Sequence, residues 1–256
     1  MVKGIDKFRD WFSDYADNYI IIGGAACDIH EELNAQNARA TKDLDVIVVV
    51  EALSQEFVGQ FWQFVKAGKY ETRQKGNDKH EFYRFIKPQE KDFPFQLELF
   101  SRKLESMCLP TDAVLEPIPA DEDMSSLSAI LMDDDYYNFV LKHSINVNGI
   151  HIAKVESLIC LKAKAFIDLS KRKLLGEAVD SKSISKHKND IFRLAAMLVS
   201  GVKIELFGNM NADISTFCQA IETELPDNNL LESAGIRGLT ADRLFYMIKE
   251  TFGVDY

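Results

Sequence analysis

The chain has 256 residues, of which 46% are hydrophobic, and it carries a net charge of −10 at pH 7. This length and composition are typical of a globular protein with one large or two modest domains, and the negative charge argues against an extended duplex-binding surface. Since no apolar run approaches the roughly 20 residues that cross a bilayer, and the four cysteines lack paired or zinc-like spacing, we expect a cytoplasmic protein with reduced thiols, no signal peptide and no membrane segment.

Two glycines separate the first predicted strand, at residues 18–22, from a predicted helix at residues 25–33. They are Gly23 and Gly24. Glycines at such a junction let the backbone turn tightly and bring N–H groups close to a phosphate, which the N-terminus of a helix also favours. Taken alone, the Gly-Gly pair favours a plain turn over a phosphate site, and only its combination with the Asp-x-Asp segment that follows reverses this.

Two aspartates stand at the head of the next predicted strand. Asp43 and Asp45 precede residues 46–50, which are all β-branched. Because side chains alternate along a strand, both carboxylates point to the same side, about 6–7 Å apart. Their charges repel each other and resist burial, and a bound Mg²⁺ would remove both penalties. Because Mg²⁺ is usually shared between one or two carboxylates and substrate phosphates, the pair predicts a nucleotide site.

The combination of an apolar run, two glycines, a helix and an Asp-x-Asp strand resembles the nucleotidyltransferase superfold. Its members include DNA polymerase beta, drug-adenylylating enzymes and toxins of bacterial toxin–antitoxin systems. Residues 39–45, Arg-Ala-Thr-Lys-Asp-Leu-Asp, are further similar to the Arg-x-Ser/Thr-x-Asp-h-Asp motif of the AbiE-type (AbiEii/AbiGii) toxin nucleotidyltransferases. The resemblance implies that Asp43 and Asp45 are catalytic metal ligands. It also implies a nucleotide-binding set: Gly23, Gly24, Arg39 and Thr41.

The sequence departs from the pattern of the superfold at two points. Eighteen residues separate Gly24 from Asp43, which is longer than usual, so we expect an insertion around residues 34–38. Ala25 stands where Ser or Thr is frequent, which removes one hydroxyl contact to a phosphate. Neither change affects the carboxylates.

A third carboxylate is expected on a later strand beside the first two, as in most members of the superfold. Residues 93–100 form a predicted strand in which Gln96, Glu98 and Phe100 share one face. By resemblance, Glu98 is the third metal ligand or the general base, in a site for two Mg²⁺ ions with Mn²⁺ as an alternative. The other interpretation is an edge strand with Glu98 in water.

The other predictions for the first half come from local patterns. Residues 53–67 have the spacing of an amphipathic helix, residues 71–79 are polar and predicted as a loop, and residues 80–86 are predicted as a strand. Residues 101–135 are predicted as loops with a short strand near residues 127–132, and the acidic run 133–135 as a solvated turn. Asn148-Gly149 suits a type I′ turn between predicted strands at 137–146 and 150–153, a hairpin that would finish the sheet.

From residue 155 onward the pattern changes to helices, predicted at residues 155–167, 185–199, 214–223 and 241–251. We therefore place a boundary near residue 154, with a catalytic domain at 1–154 and a helical domain at 155–256. The expected fold class is α+β, with a mixed sheet and flanking helices like those of the DNA polymerase beta superfold.

Two helical segments extend the resemblance. In AbiE-type proteins a Glu-x-Leu-h-x-x-Lys helix and a later Lys/Arg-x-Asp-h-h-x-Leu segment face the nucleotide, and residues 156–162 and 188–194 are similar to these. The resemblance implies that Lys162 and Lys188 bind the triphosphate and that Asp190 orients it or assists catalysis. The alternative is that Lys162 extends to the surface and Asp190 caps a helix or pairs locally.

The function implied by the resemblance is Mg²⁺-dependent transfer of a nucleoside monophosphate from an NTP to tRNA, another RNA or a protein, as the toxin partner of a cognate antitoxin. Residues 161–193 carry nine Lys and Arg against four Asp and Glu. A basic face there fits a triphosphate, an RNA end or an acidic partner. Two alternatives stay open: an adenylyltransferase for an aminoglycoside-like small molecule, and a non-catalytic binding module on the same fold.

Overall fold

A computed structural model describes residues 2–52, 54–75, 79–102 and 133–254. The strands are β1 (Tyr19–Ile22), β2 (Asp43–Val48), β3 (Glu71–Lys75), β4 (Lys79–Ile86), β5 (Gln96–Phe100), β6 (Ser144–Val147) and β7 (Ile150–Ala153). These seven strands of the described chain form one sheet in the order β3–β4–β5–β2–β1–β7–β6. The predicted hairpin strand at 150–153 and its partner therefore do finish one side of the sheet.

The sheet is mixed, which agrees with the expected α+β class. β2 pairs in parallel with β5 and β1 with β7, while the other neighbours are antiparallel. The register aligns Asp45 of β2 with Ile22 of β1 on one side and with Glu98 of β5 on the other. Since residues paired across a sheet point to the same face, Asp45 and Glu98 share one face.

The helices are α1 (Ile5–Trp11), α2 (Gly23–Leu33), α3 (Gln55–Gly68), α4 (Asp134–Lys142), α5 (Val155–Leu174), α6 (Ser181–Ala195), α7 (Met210–Ile221), α8 (Asn228–Ser233) and α9 (Ala241–Phe252). Short 3₁₀ turns cover Ser13–Asn18 and Val50–Ala52. Among the described residues, no helix combines the length and hydropathy needed to cross a bilayer.

Aromatic side chains from α1 and α3 cover one face of the sheet. The ring of Phe8 lies 5.1 Å from that of Tyr19 and 5.6 Å from that of Phe64, while Phe61 lies 5.6 Å from Phe85. Tyr19 and Ile22 are three residues apart on β1, so this aromatic face is opposite to the face that carries Asp45. The carboxylate face is covered by α2, which also contacts α5 and α6. One continuous hydrophobic core includes residues from both sides of residue 154, and the domain division there stays a prediction.

The structure corrects three assignments made from the sequence. Residues 137–142 belong to helix α4 and not to a strand, and Asp133 begins that helix by accepting hydrogen bonds from the N–H groups of Asp135 and Tyr136. The acidic run is therefore a helix start. Residues 71–75 form β3 at the edge of the sheet rather than a loop. An edge strand needs no apolar face, so its polar sequence concealed it. The short strand predicted near residues 127–132 lies outside the described residues.

Candidate active site

The Asp-x-Asp segment lies against the two glycines that begin α2. Gly23 has a φ of +65°, and a Cβ placed on it would lie 1.9 Å from Oδ2 of Asp45. A Cβ on Gly24 would lie 2.5 Å from Oγ1 of Thr41. The backbone N–H of Thr41 donates to Oδ2 of the buried Asp28 at 2.6 Å, which fixes this segment against α2. Both glycines are therefore required sterically, because the helix N-terminus lies directly beside these side chains.

The charge on Asp45 is costly in this position. Burial, together with the neighbouring carboxylates of Glu98 and Asp43, raises the pKa of Asp45 to about 7, although Lys162 and Lys186 act in the opposite direction. A cation bound between the carboxylates would relieve this repulsion. Asp43 and Asp45 thus suit a divalent ion by their chemistry and placement.

Within the described part of the chain, no three His, Cys, Asp or Glu side chains converge as a metal-binding group. The Asp43/Asp45 pair instead matches the usual Mg²⁺ arrangement, in which the protein supplies one or two carboxylates and the substrate phosphates and water supply the other ligands.

Glu98 lies on an inner strand, so its interpretation as a solvated edge residue is wrong. β5 has β4 on one side and β2 on the other, and the Glu98 side chain is 14% exposed. Its Oε1 lies 2.6 Å from Nε of Arg84, and the amide of Gln96 donates to the same oxygen at 2.6 Å. Glu98 therefore stands beside Asp45 and is paired with the guanidinium of Arg84.

A buried ion pair faces the carboxylates from the helical half of the chain. Nζ of Lys162 on α5 donates to Oδ2 of Asp190 on α6 at 2.8 Å, and Arg39 donates to the other carboxylate oxygen. Burial alone would lower the pKa of Lys162, but Cys27, Asp190 and Asp45 outweigh it and raise the pKa above its ordinary value. Lys162 is 6% exposed, so the alternative that it extends to the surface is wrong.

The segment predicted as an insertion, residues 34–38, is tied to the helical half. The guanidinium of Arg193 donates to both carboxylate oxygens of Glu31, at 2.8 and 2.6 Å, and also to the backbone carbonyl of Asn37. The backbone N–H of Asn37 donates to the carbonyl of Ala234 at 2.9 Å. These contacts fix the path of the chain just before Arg39 and so place Arg39 next to Asp190.

Two further residues belong to this set but were not predicted. Lys186 and His187 precede Asp190 on α6 by four and three residues, the spacing that places side chains on one helix face. Burial, with the charge of Lys162 nearby, lowers the pKa of His187 to about 4. Among the described residues, its buried Nδ1 has no hydrogen-bond partner. The helical spacing from Asp190 was the signal that could have identified both residues.

Lys188, which the resemblance assigned to the nucleotide, has a different contact. It lies two residues from Asp190, so the two side chains do not share a helix face. Its Nζ donates to the backbone carbonyl of Glu224 at 2.8 Å, and its nucleotide contact stays a prediction.

Comparisons of this chain with protein-family models, with curated proteins and with solved structures found no match. The molecule is therefore classed by its own architecture, as an α+β protein with a carboxylate site on one face of a mixed sheet. Because one fold can support many activities, its function has to be argued from the side chains of that site.

Proposed function

We propose that this protein is a Mg²⁺-dependent nucleotidyltransferase that transfers a nucleoside monophosphate from an NTP to a hydroxyl group of an RNA, such as tRNA, or of a protein. The observation that carries the proposal is the contact between the N-terminus of α2 at Gly23 and the carboxylate of Asp45. Carboxylates that suit a divalent ion, beside a helix N-terminus that favours phosphate, are the two parts of a site for a metal–nucleotide complex.

The sheet order supports the finer assignment to the polymerase-beta-like superfold. The strand that carries Asp43 and Asp45 lies beside the strand that carries Glu98, and the register pairs Asp45 with Glu98. That is the placement of the third carboxylate that the resemblance implies. The register is a tertiary feature, so it adds support that is independent of the motif spacing.

In the proposed reaction, the residues of the chain hold and orient the nucleotide. Asp43 and Asp45 would hold Mg²⁺, which when bound stabilises the attacking and leaving oxygens of an in-line displacement at the α-phosphorus. The free N–H groups at the start of α2 would bind phosphate oxygens. Lys162, held by Asp190, would offset the charge that develops on the departing pyrophosphate.

Calorimetric titration of ATP, GTP, CTP and UTP in the presence of Mg²⁺ tests the site, with Asp45→Asn as the isosteric variant. We expect at least one NTP to bind in a Mg²⁺-dependent way and to bind Asp45→Asn at least about 10-fold more weakly, a difference of about 1.4 kcal/mol. Asp242→Asn, at an exposed position in the first turn of α9, is the matched control and should bind like the wild type.

An NTP labelled at the α-phosphate then tests the reaction, with tRNA, protein and an aminoglycoside as acceptors. Label on tRNA or protein supports the proposal. Label on the small molecule alone would instead identify a small-molecule adenylyltransferase. If no NTP binds, the enzyme proposal fails and a non-catalytic binding module becomes the better hypothesis.

A further inference from the structure

The contact between Arg84 and Glu98 is not explained by a site for two metal ions. Such a site needs the third carboxylate to be available to the second ion, yet in this structure a guanidinium occupies Glu98. We propose that Arg84 takes the place of the second ion, so that this chain binds one divalent ion, at Asp43 and Asp45, and uses a fixed arginine at Glu98. This inference rests on the proposed function, since it concerns the metal content of that same site.

The backbone register of the sheet brings Arg84 and Glu98 together. β4 aligns Arg84 with Glu98 of β5, and β5 in turn aligns Glu98 with Asp45 of β2. The three side chains therefore stand in a row across neighbouring strands, which are spaced about 4.8 Å apart, on one face of the sheet. Gln96, on that same face, donates to the carboxylate oxygen that Arg84 contacts, which holds Glu98 in this orientation.

The charges on this row favour one ion. A guanidinium stays protonated at any physiological pH, so Arg84 neutralises Glu98 permanently. A second divalent ion at Glu98 would have to approach that positive charge or displace it. Displacement would leave the guanidinium, in a side chain that is only 27% exposed, without its carboxylate partner.

The metal-binding groups of the described chain agree with a site for one divalent ion. No three His, Cys, Asp or Glu side chains converge there, whereas two carboxylates on β2 are enough for one Mg²⁺ that completes its shell with water and phosphate. Arg84 is therefore a positioning residue: it acts through Glu98 and sets how many ions the face accepts.

Counting bound Mn²⁺ by electron paramagnetic resonance tests the inference without any measure of activity. Mn²⁺ alone is titrated into the full chain. For the wild type we expect one ion with the spectrum of an isolated Mn²⁺, and no ion for Asp45→Asn. For Arg84→Met we expect a second ion. The two ions should then show magnetic exchange coupling, because paired metal ions in such sites lie about 4 Å apart.

Three further variants keep the test interpretable. Arg84→Lys retains the charge and should still bind one ion. Arg84→Gln removes the charge but keeps a hydrogen-bond donor, so it replaces Arg84→Met if that variant does not fold. Arg102→Met is the control, because Arg102 lies just after β5 and its guanidinium is also paired with a carboxylate, 2.7 Å from Glu51. This variant should still bind one Mn²⁺ ion.

The outcomes separate this inference from the proposed function. Two ions in the wild type would overturn the role of Arg84 and leave the nucleotidyltransferase proposal standing. One ion in both the wild type and the folded neutral variant would show that Arg84 does not exclude the second ion, which also overturns the inference. No ion in the wild type would refute the proposed metal site itself, and the inference with it.

Discussion

Replacement of Gly23 by alanine is expected to damage the carboxylate site more than the fold. Gly23 has a φ of +65°, a left-handed conformation that costs a residue with a Cβ about 1–2 kcal/mol. The added methyl group would also lie 1.9 Å from Oδ2 and 2.9 Å from Cγ of Asp45, well inside the contact distance of any two heavy atoms. Since the carboxylate is the movable end of its side chain, we expect Asp45 to be pushed away from the position where it would hold a metal ion.

Gly253→Ala is a control with the same backbone cost and no such contact. Gly253 has a φ of +66°, and within the described structure no heavy atom beyond its own residue and its two chain neighbours lies within 4 Å of a Cβ placed there. Both variants should therefore lose about 1–2 kcal/mol of unfolding free energy, measured by urea denaturation. Only Gly23→Ala should bind Mn²⁺ at least about 10-fold more weakly, a loss of about 1.4 kcal/mol. Wild-type Mn²⁺ affinity in Gly23→Ala would refute the argument that this glycine is required by Asp45.

Two further predictions concern α6. His187 has a pKa of about 4 in the folded chain and about 6.5 when unfolded, so acid favours the unfolded state. A shift of one pKa unit corresponds to about 1.4 kcal/mol. Between pH 7 and pH 4, urea denaturation should therefore show the wild type losing up to about 3 kcal/mol more unfolding free energy than His187→Asn. Equal losses would exclude this role of His187. Asp190→Leu leaves Lys162 buried without the carboxylate of Asp190 and should lower the unfolding free energy by about 3 kcal/mol. The double variant with Lys162→Met should recover much of that loss in the same assay, and no recovery would argue against a coupled pair.

Most of the elements around the site were predictable because they have strong local patterns. The sequence predicts a strand at 18–22, a helix at 25–33 and a strand beginning near Asp43, and the structure has β1, α2 and β2 within a few residues of these bounds. The turn at Asn148 and Gly149 has positive φ at both residues, 51° and 83°, as the predicted type I′ hairpin requires.

The misassignment of α4 came from the hairpin signal that follows it and not from a missing helix signal. Tyr136, Tyr137, Phe139 and Val140 are all buried, and their separations of three and four residues are those of a helix. The preceding acidic run includes Asp133, a good N-cap, followed by two acidic residues in the first turn. Both are helix-start signals. The hairpin signal at Asn148 favoured a strand immediately before it, and this incorrect extension removed the helix from the prediction.

No local sequence pattern could predict which partners the charged residues would contact. Glu98 and Arg84 are fourteen positions apart and meet only because β4 and β5 pair in one register. A shift of that register by one residue would turn Arg84 to the opposite face. The same limit applies to Lys162 and Asp190, whose pairing depends on how α5 packs on α6.

The site therefore depends on residues from both sides of the boundary predicted at residue 154. Asp43 and Asp45 come from the sheet, whereas Lys162, whose charge lowers the pKa of Asp45, comes from α5 and is held by Asp190 of α6. The segment between α2 and β2 joins the two parts, because Arg39 binds Asp190 and Asn37 is fixed by backbone contacts to α8. That segment thus gives the chain a fixed connection between its carboxylates and its helical half.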